Sequence, residues 1–360
     1  MQKLKFPRTP DQMAFYKTLR QRVNEYFQSE GATRYANTNM VFKTVLMFLL
    51  YLVPLSLLLL APITSAWQVF VLYLIMGLGM AGIGLNVMHD ANHGAFSRSK
   101  WLNNALGASM NLIGSSAFVW KLQHNVLHHT YTNVEGVDED IEVPFLFRFS
   151  PNQPRYWFHR FQHIYAWFFY GLMTLLRTFL SDYTRLVGYH KQGLIPDKRL
   201  YRKEWIKLVV WKSIYYLATL ILPLVLLPVS AWVVLLSFFI MHFITGLTLS
   251  LIFQTAHVMP TSEFPLPDEE GKMQHAWAVH ELITTTNFAP RSRVFSWLIG
   301  GLNFQIEHHL FANICHVHYK KLSCVVQETA REFGLPYYCQ PTFVHAVVAH
   351  MRMLRQLGRA

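Results

Sequence analysis

Two histidines that stand four residues apart, His89 and His93, have the spacing of a metal-binding pair. On a helix, residues four apart lie on one face with about 5–6 Å between their Cβ atoms, so two imidazoles can bind one metal ion. A single pair with this spacing is also common among surface histidines. This pair alone therefore does not define a site.

A second cluster contains His124, His128 and His129. On a regular helix, the first two imidazoles lie on one face and the third lies on an adjacent face. Neighbouring histidines can thus point toward two different metal ions. The cluster is therefore compatible with a site that holds more than one metal.

A third cluster, Gln305, His308 and His309, repeats this outline with a glutamine in the first position. His257 directly follows a long apolar stretch, in the same way that His89 follows an earlier one. Partly solvated imidazoles would explain one cluster, whereas three clusters and His257 indicate a metal centre. The candidate metal ligands are His89, His93, His124, His128, His129, His257, His308 and His309.

The number of candidate ligands limits the kind of metal site. Nitrogen-rich sites suit iron, zinc, copper or nickel, so ligand type alone does not select the metal. Eight imidazoles are too many for one tetrahedral zinc ion and suit two metal ions with open positions. Metal-bound imidazoles also need partners for their other N–H group. Candidate partners near the clusters are Asp90, Asn92, Asn125, His316 and His318.

The other histidines are interpreted as structural or surface residues. His242 lies inside a long apolar stretch, where we expect it to be hydrogen-bonded to a neighbouring helix. The remaining ones are expected on the surface or in loops: His159, His163, His190, His275, His280, His345 and His350.

Two stretches without Asp, Glu, Lys or Arg, residues 44–88 and 213–257, must position these clusters. Each stretch has 45 residues. Crossing a hydrocarbon core of about 30 Å takes about 20 helical residues, so each stretch predicts a transmembrane helical hairpin. Charged residues make up only 14% of the chain, against about 25% in soluble domains. The composition thus argues against a soluble enzyme.

The placement of the basic residues predicts the topology. All 32 Lys and Arg lie outside the two apolar stretches, so the positive-inside rule places both termini and the middle segment in the cytosol. The net charge of +12 then reflects topology and not nucleic-acid binding. If Trp101–Trp120 crossed the membrane, the first two clusters would lie on opposite sides. We therefore expect this segment, and Ile164–Leu180, to form interfacial or half-inserted helices.

The predicted fold is an all-α integral membrane protein with four transmembrane helices in two hairpins and a large cytosolic helical cap that holds a two-metal site. Apolar residues four apart from Phe15 to Phe27 predict a surface helix on the membrane or on the protein. Further cytosolic helices are predicted at residues 320–334 and 342–358. The predicted regions are a cytosolic segment at 1–43, the first hairpin at 44–88, a cytosolic region at 89–212, the second hairpin at 213–257 and a cytosolic region at 258–360.

The three clusters resemble the three histidine boxes of membrane fatty acid desaturases. The resemblance runs from about residue 35 to residue 320. The glutamine that opens the third box, Gln305, is similar to that of front-end desaturases, which insert a double bond between an existing one and the carboxyl end. The sequences around the first two boxes are most similar to those of Δ6 acyl-lipid (linoleoyl-type) desaturases of bacteria and cyanobacteria.

This resemblance implies a di-iron (Fe²⁺/Fe³⁺) enzyme that uses O₂ to introduce a cis double bond into an acyl chain, Δ6-like and on an unsaturated C18 group. The eight histidines would be the iron ligands, and Gln305 would ligate weakly, bind a water or shape the substrate end. The substrate would be a fatty acyl lipid or an acyl-CoA in the membrane. Because the 360 residues contain no His-Pro-Gly-Gly haem motif, we expect an external donor, ferredoxin or cytochrome b5 with its reductase, on the cytosolic face.

Two other interpretations stay open at this point. A di-iron hydroxylase, a ketolase or a sphingolipid desaturase would use the same histidine boxes. A histidine-lined metal transporter is a candidate of another class. Transporters need polar ligands near the middle of the bilayer. The two apolar stretches contain no Asp, Glu, Lys or Arg, and their histidines are His242 and, at the end of the second stretch, His257.

Overall fold

The computed structural model describes residues 4–143 and 145–360. Most of these residues form helices, as predicted. Four helices are long and apolar enough to cross a membrane: Thr38–Leu60, Ala66–Asn92, Lys198–Leu226 and Ala231–His257. We number them as the first to fourth long helices. Their number agrees with the four predicted spans.

The third long helix begins at Lys198, well before the charge-free stretch that starts at residue 213. Charge-free sequence marks only the part of a helix that suits hydrocarbon, and a helix can continue through the interface with Lys and Arg side chains that reach water. The same reasoning applies to the first long helix, which begins at Thr38 and contains Lys43.

Small residues bring the long helices close together. Gly79 of the second long helix lies against the backbone of Leu50 and Tyr51 in the first, so that a Cβ atom there would stand 2.6 Å from the Tyr51 nitrogen. Gly77 faces the backbone of Met241 in the fourth in a similar way. Close approach of this kind is typical of helix packing in membranes, where small residues line the contacts. The second long helix thus lies between the first and the fourth.

The two segments of ambiguous hydropathy fold into pieces too short to span a bilayer. Trp101–Trp120 is divided among three short helices, and Ile164–Leu180 among two helices and a π-helical turn. These helices, and the others that surround the long ones, are Pro10–Ser29, Lys100–Gly107, Ser109–Leu112, Ala117–Trp120, Gln162–Gly171, Met173–Leu176, Asp182–Lys191, Trp277–Thr284, Arg293–Leu298, Gln305–Leu310, Tyr319–Glu332 and Phe343–Leu357. Short 3₁₀ helices occur at Trp157–Phe161 and His316–His318.

The helices predicted at residues 320–334 and 342–358 are present with nearly the expected bounds, Tyr319–Glu332 and Phe343–Leu357. Pro10–Ser29 buries Phe15, Leu19 and Val23 in one apolar cluster with Leu322 and Val326 of the helix Tyr319–Glu332. One face of this N-terminal helix therefore packs on protein, which is one of its two predicted surroundings. Its apolar residues recur every four positions because one face is covered by the C-terminal part of the chain.

Strands were absent from the prediction, and within the described residues the structure contains a small parallel pair. Asn287–Phe288 pairs with Cys339–Gln340. The Asn287 side chain accepts a hydrogen bond from the Ile306 backbone nitrogen at 2.9 Å and donates one to Glu307 at 2.8 Å. The strand pair therefore anchors the short helix that carries the third histidine cluster. Strands of two residues leave no periodic pattern in a sequence, which is why they were missed.

Candidate metal centre

All eight predicted histidines meet in one place. Seven of them are buried and His93 is half-buried. Their ligand atoms form three overlapping groups, in each of which the nitrogens lie within 4.8 Å of one another, and two of these groups share no histidine. The first group is His89, His93, His124 and His308. The second group is His128, His257 and His309.

His129 lies between the two groups. Its Nε2 atom is 2.9 Å from Nε2 of His308 and 3.2 Å from Nε2 of His124, which belong to the first group. Its ring also stacks on that of His309 in the second group, with 4.4 Å between the centroids. With His308 of the first group and His309 of the second, His129 forms the third group, which therefore connects the other two.

The second histidine cluster lies on a π-helix, Lys121–His128, and not on the regular α-helix that was assumed from the sequence. The backbone nitrogen of His129 donates to the carbonyl oxygen of His124 at 2.9 Å, a bond across five residues. This winding brings His124 and His129 together, while the ring of His128 packs at 4.7 Å from that of His257. The rings of His124 and His128 still stack, with 5.3 Å between their centroids, so all three imidazoles of the cluster stay close together. A second π-helical turn, Ile83–Met88, directly precedes the first cluster, and such turns occur often at functional sites.

A glycine loop places the third cluster against the second long helix. Gly300 has a φ of +68°, and a Cβ atom there would stand 2.3 Å from the carbonyl oxygen of Leu85. Glycine adopts this φ readily and lets the two backbones touch. The chain then enters the helix Gln305–Leu310, which carries His308 and His309.

Buried acidic and phenolic side chains orient several imidazoles. Nδ1 of His128 is 3.0 Å from Oδ2 of Asp138, and Nδ1 of His309 is 2.7 Å from Oε2 of Glu281. Such partners fix the orientation of an imidazole so that its other nitrogen points toward a metal. Both acids are fully buried. The Tyr319 hydroxyl plays a similar part at 3.3 Å from Nδ1 of His308.

The predicted partners were right in part. Asp90 accepts hydrogen bonds from the backbone and ring of His316 at 3.1 and 2.8 Å, and its other oxygen is 3.5 Å from Nδ1 of His89. Asn92 and Asn125 were wrong. Asn92 donates to the Gly107 carbonyl and Asn125 to the carbonyl of Asn92, so both amides hold the backbone. Short polar side chains next to a histidine cluster often serve the local chain in this way.

The partners that the sequence did not reveal are Asp138, Glu281 and Tyr319. Asp138 is ten residues from the histidine that it contacts, Glu281 is 28 and Tyr319 is 11. The one available signal was that Glu281 is the single acid in the apolar helix Trp277–Thr284. Acidic residues are rarely buried without a partner, so its position could have suggested a role.

Electrostatics favour neutral imidazoles in the first group. Burial and the neighbouring imidazoles hold the pKa of His124 and His308 well below the ordinary value. For His128, burial opposes protonation, but the ion pair with Asp138 holds its pKa above the ordinary value. Burial raises the pKa of Glu281 to about 8. Neutral imidazole is the form that binds metal ions.

Several buried imidazole nitrogens find no hydrogen-bond partner among the described residues. Outside the centre there is one, Nδ1 of His163; in the centre they are Nδ1 of His89, Nε2 of His93, Nε2 of His128, Nδ1 of His129, both ring nitrogens of His257 and Nε2 of His309. More than nine in ten buried polar groups in proteins are paired. Orphaned nitrogens concentrated in two groups of convergent imidazoles therefore fit metal ions, and both groups could hold one.

A cavity of about 610 Å³ reaches the centre. His89, His124, His308 and Gln305 line it beside the first group. Its walls are mainly apolar and come from the second and fourth long helices, from residues 110–124, 139–143 and 146–149 and from the helices after Trp157. Six aromatic rings are among them: Trp120, Phe147, Phe149, Phe169, Tyr170 and Phe253. Gln305 is buried, and its side-chain nitrogen donates to the Leu302 carbonyl at 2.7 Å.

The predicted surroundings of the other histidines were right in part. His242 is hydrogen-bonded to Tyr215 at 2.8 Å, as predicted for a buried residue of a span. Three of the seven histidines expected on the surface or in loops are buried instead: His159, His280 and His350. His350, for example, lies between a tyrosine hydroxyl and a backbone carbonyl at 2.8 Å each. The sequence hides such partners because they come from distant segments.

Comparison with known proteins agrees with this geometry. The model of the fatty acid desaturase family matches residues 65–341. An acyl-lipid (8-3)-desaturase of Physcomitrium patens is 36% identical over 96% of this chain and 72% of its own length. The sn-1 linoleoyl-lipid 6-desaturases of Synechocystis and Arthrospira platensis are 35% and 33% identical over 96% of this chain, and over 96% and 93% of their own lengths.

The chain belongs to the fatty acid desaturase family. It is an oxidoreductase that acts on fatty acids, and its four long apolar helices agree with a membrane-bound member of the family.

Proposed function

We propose that the chain is an O₂-dependent, front-end acyl-lipid desaturase that introduces a cis double bond at the Δ6 position of an unsaturated C18 acyl group. The observation that carries this proposal is the contact between an apolar cavity and the first group of histidines. The names of the relatives support the acyl-lipid substrate and the Δ6 position, since two of them are linoleoyl-lipid 6-desaturases.

The two histidine groups fit two iron ions, Fe²⁺ or Fe³⁺. His89, His93, His124 and His308 would hold one, and His128, His257 and His309 the other, with His129 between them. When bound, iron would supply the oxidising power needed to remove hydrogen from unactivated methylene carbons with O₂. The overall reaction converts –CH₂–CH₂–, O₂, two electrons and two protons into –CH=CH– and two water molecules.

The protein's own part is to bind and orient the acyl chain and to exclude water. Trp120 stacks on His124 with 4.4 Å between the ring centroids, and Phe253 packs at 4.9 Å from the ring of His128. These rings form an apolar wall next to the imidazoles. An acyl chain offers no polar handle near the reacting carbons, so the position of the double bond depends on how far the chain extends past this wall.

Both charged and apolar side chains line the cavity. Glu139 and Arg185 form a partly exposed ion pair at 3.0 Å and line the cavity, while Met80 and Thr245 line it between the second and fourth long helices. We place the ester and head group of the lipid beside this ion pair and the methyl end of the acyl chain between the helices. The first histidine group would then meet the carbons in between.

The proposed topology follows the distribution of charge. Two hairpins would span the membrane, and both termini, the helical cap and the metal centre would face the cytosol. Support comes from the absence of Lys and Arg from residues 44–88 and 213–257. The regions proposed from the sequence, 1–43, 89–212 and 258–360, would form the cytosolic part. An external carrier, ferredoxin or cytochrome b5, would deliver the electrons there.

Lipid analysis of a host that expresses the protein and contains linoleoyl lipids tests the proposal. Mass spectrometry should find a new cis double bond at Δ6 in the C18 acyl groups. His345, which is exposed, offers a control, because His345→Ala should form the same product. Hydroxylated or keto products in place of the double bond would refute the desaturase assignment in favour of the related di-iron oxidases.

A further inference from the structure

A tryptophan connects the protein surface to the metal centre. The half-buried Trp277 donates its indole N–H to the carbonyl oxygen of His129 at 3.1 Å. His129 is the histidine that lies between the two groups. Trp277 also begins the helix Trp277–Thr284, which carries the Glu281 partner of His309 one turn later. One short helix thus contacts the centre through two different histidines.

The N-terminal helix covers this tryptophan with an aromatic side chain, and a cationic side chain lies over that aromatic ring. The ring of Tyr16 meets that of Trp277 edge-on, with 5.5 Å between the centroids. The guanidinium carbon of Arg20 lies 5.8 Å from the centroid of Tyr16. Arg20 is exposed. A continuous series of contacts therefore leads from an exposed cation, through two aromatic rings, to a candidate metal ligand.

The position of the N-terminal helix on Trp277 is fixed by hydrogen bonds. The Gln12 side-chain oxygen accepts from the backbone nitrogen of Ala276 at 2.6 Å, and its nitrogen is 3.1 Å from Nδ1 of His275. Gln12 and Tyr16 are one turn apart, so both anchor the same face of the helix. The contact between Tyr16 and Trp277 is therefore a built feature and not a chance approach of two surface rings.

The surface around Trp277 has the composition of a protein-binding site. We define the docking face as Met13, Tyr16, Lys17, Arg20 and Trp277. Met13 and the two basic residues are exposed, and both rings are half-buried. Aromatic residues, Met and Arg are enriched in protein interfaces, and charges at the rim steer association.

Charge identifies the kind of partner. The docking face carries two exposed cations, Lys17 and Arg20, and no acidic residue. On the N-terminal helix itself, Lys17 and Arg20 flank Tyr16, and Asp11 is the one acid in the first turn. A basic face attracts an acidic protein and speeds its association, most strongly at low ionic strength.

We propose that the docking face binds an acidic one-electron carrier protein and that electrons reach the histidine groups through Trp277 and its hydrogen bond to His129. The proposal rests on the proposed desaturase function. Each turnover needs two electrons, so two carrier molecules are oxidised by one electron each. Together with two protons, these electrons complete the reduction of O₂ to two water molecules while the acyl chain loses two hydrogens.

Binding of an acidic [2Fe–2S] ferredoxin to the full-length, iron-loaded protein in lipid nanodiscs tests the docking face. The double variant Lys17→Glu, Arg20→Glu should raise the Kd about tenfold at low ionic strength. The difference should shrink in about 0.5 M salt, because exposed charges are then screened. Arg352→Glu is the matched control, since Arg352 is an exposed cation on the helix Phe343–Leu357. Equal Kd values for the double variant and the wild type would refute the docking face.

The route through Trp277 needs a separate measurement. Trp277→Phe keeps an aromatic ring but loses the N–H that donates to His129. At saturating ferredoxin, the rate of reduction by bound ferredoxin, divided by the rate with dithionite, should fall about tenfold, with no change in iron content. An unchanged ratio would refute the route. Loss of iron in this variant would assign the indole a structural role and would refute it as well.

The two proposals can fail separately. A wild-type protein that forms no double bond in the lipid assay refutes the desaturase function, whatever its affinity for ferredoxin. A wild-type protein that desaturates normally, with charge variants that bind ferredoxin as it does, refutes only the docking face.

Discussion

Buried histidines occur in two regions of this molecule, and they are satisfied in different ways. Outside the metal centre, His242 and His350 each have both ring nitrogens within hydrogen-bond distance of a protein oxygen, at 2.8 to 3.2 Å. Inside the centre, His309 has a partner for Nδ1 only, and His257 has none among the described residues for either nitrogen.

This difference separates structural imidazoles from candidate ligands. Burial is the same in both regions, since His242, His257 and His350 are all completely buried. A fully hydrogen-bonded imidazole ties helices together and needs nothing more. An imidazole with an orphaned nitrogen carries a desolvation cost of about 1–3 kcal/mol unless another group binds there. The comparison predicts that substitutions in the two regions will damage different properties.

The largest expected effect is the loss of activity and iron from the centre. His308→Ala removes a member of the first group and His309→Ala a member of the second, so each variant should lose desaturation and about half of the bound iron. Two measurements test this prediction: the iron content, by mass spectrometry, and the amount of desaturated product. His350→Gln should keep the iron. If His308→Ala kept full iron and full turnover, the assignment of the first group would be wrong.

Replacing the acids that hold the imidazoles should have the next largest effect. Asp138→Asn and Glu281→Gln keep the shape of the side chain but replace the carboxyl groups that contact His128 and His309 with amides. Loss of such partners typically lowers metal affinity about 10- to 100-fold. Titration of the metal-free protein with Fe²⁺ measures this affinity.

Asp268, an exposed acid in a turn, gives a suitable control for these two variants. Asp268→Asn should leave the affinity for Fe²⁺ unchanged. Wild-type affinity in both Asp138→Asn and Glu281→Gln would show that the carboxylates serve folding alone, and would remove the distinction between the two regions.

The sequence predicted the parts of this comparison that depend on local pattern. The spacing within the clusters and the apolar stretches were enough to predict four long helices and a common site for eight histidines. The structure agrees on both points. It also brings His257 to the second group, as its position at the end of an apolar stretch suggested.

The sequence could not reveal features that depend on contacts between distant segments. The π-helical winding of Lys121–His128 brings the backbone of His129 to that of His124 and has no spacing signature of its own. The contacts of Asp138 with His128 and of Glu281 with His309 exist only in the folded chain. His350 looked like a surface residue, because its partners come from positions 170 and 258. Long-range hydrogen bonds decide the role of a buried histidine, and a local pattern does not contain them.

A pH titration of stability examines the structural histidines directly. Burial lowers the pKa of His350 to about 4, below the value of about 6.5 expected for an unfolded chain. The unfolded state therefore binds the proton first, and the stabilisation that is present above about pH 6.5 is lost as the pH falls toward 4. The full effect is on the order of 3 kcal/mol. His350→Gln should show a shallower decline.

Thermal unfolding of the metal-free protein in detergent between pH 7.5 and pH 4.5 measures this effect. The control is His345→Gln, since His345 is exposed and should leave the decline unchanged. If wild type and His350→Gln declined in parallel, the depressed pKa of His350 would be contradicted.

The smallest effect is expected at Gln305, which shares features with the structural side chains and with the candidate ligands. Its nitrogen is satisfied by the Leu302 carbonyl, as in a structural side chain, yet it lines the cavity next to His308, as a ligand would. We expect Gln305→Leu to keep all the iron and to lower turnover about fivefold, the effect of one hydrogen bond of about 1 kcal/mol. Gln192→Leu, at an exposed position, should change neither. Loss of iron in Gln305→Leu would instead place the amide among the ligands, because a side chain that only shapes the cavity does not change metal content.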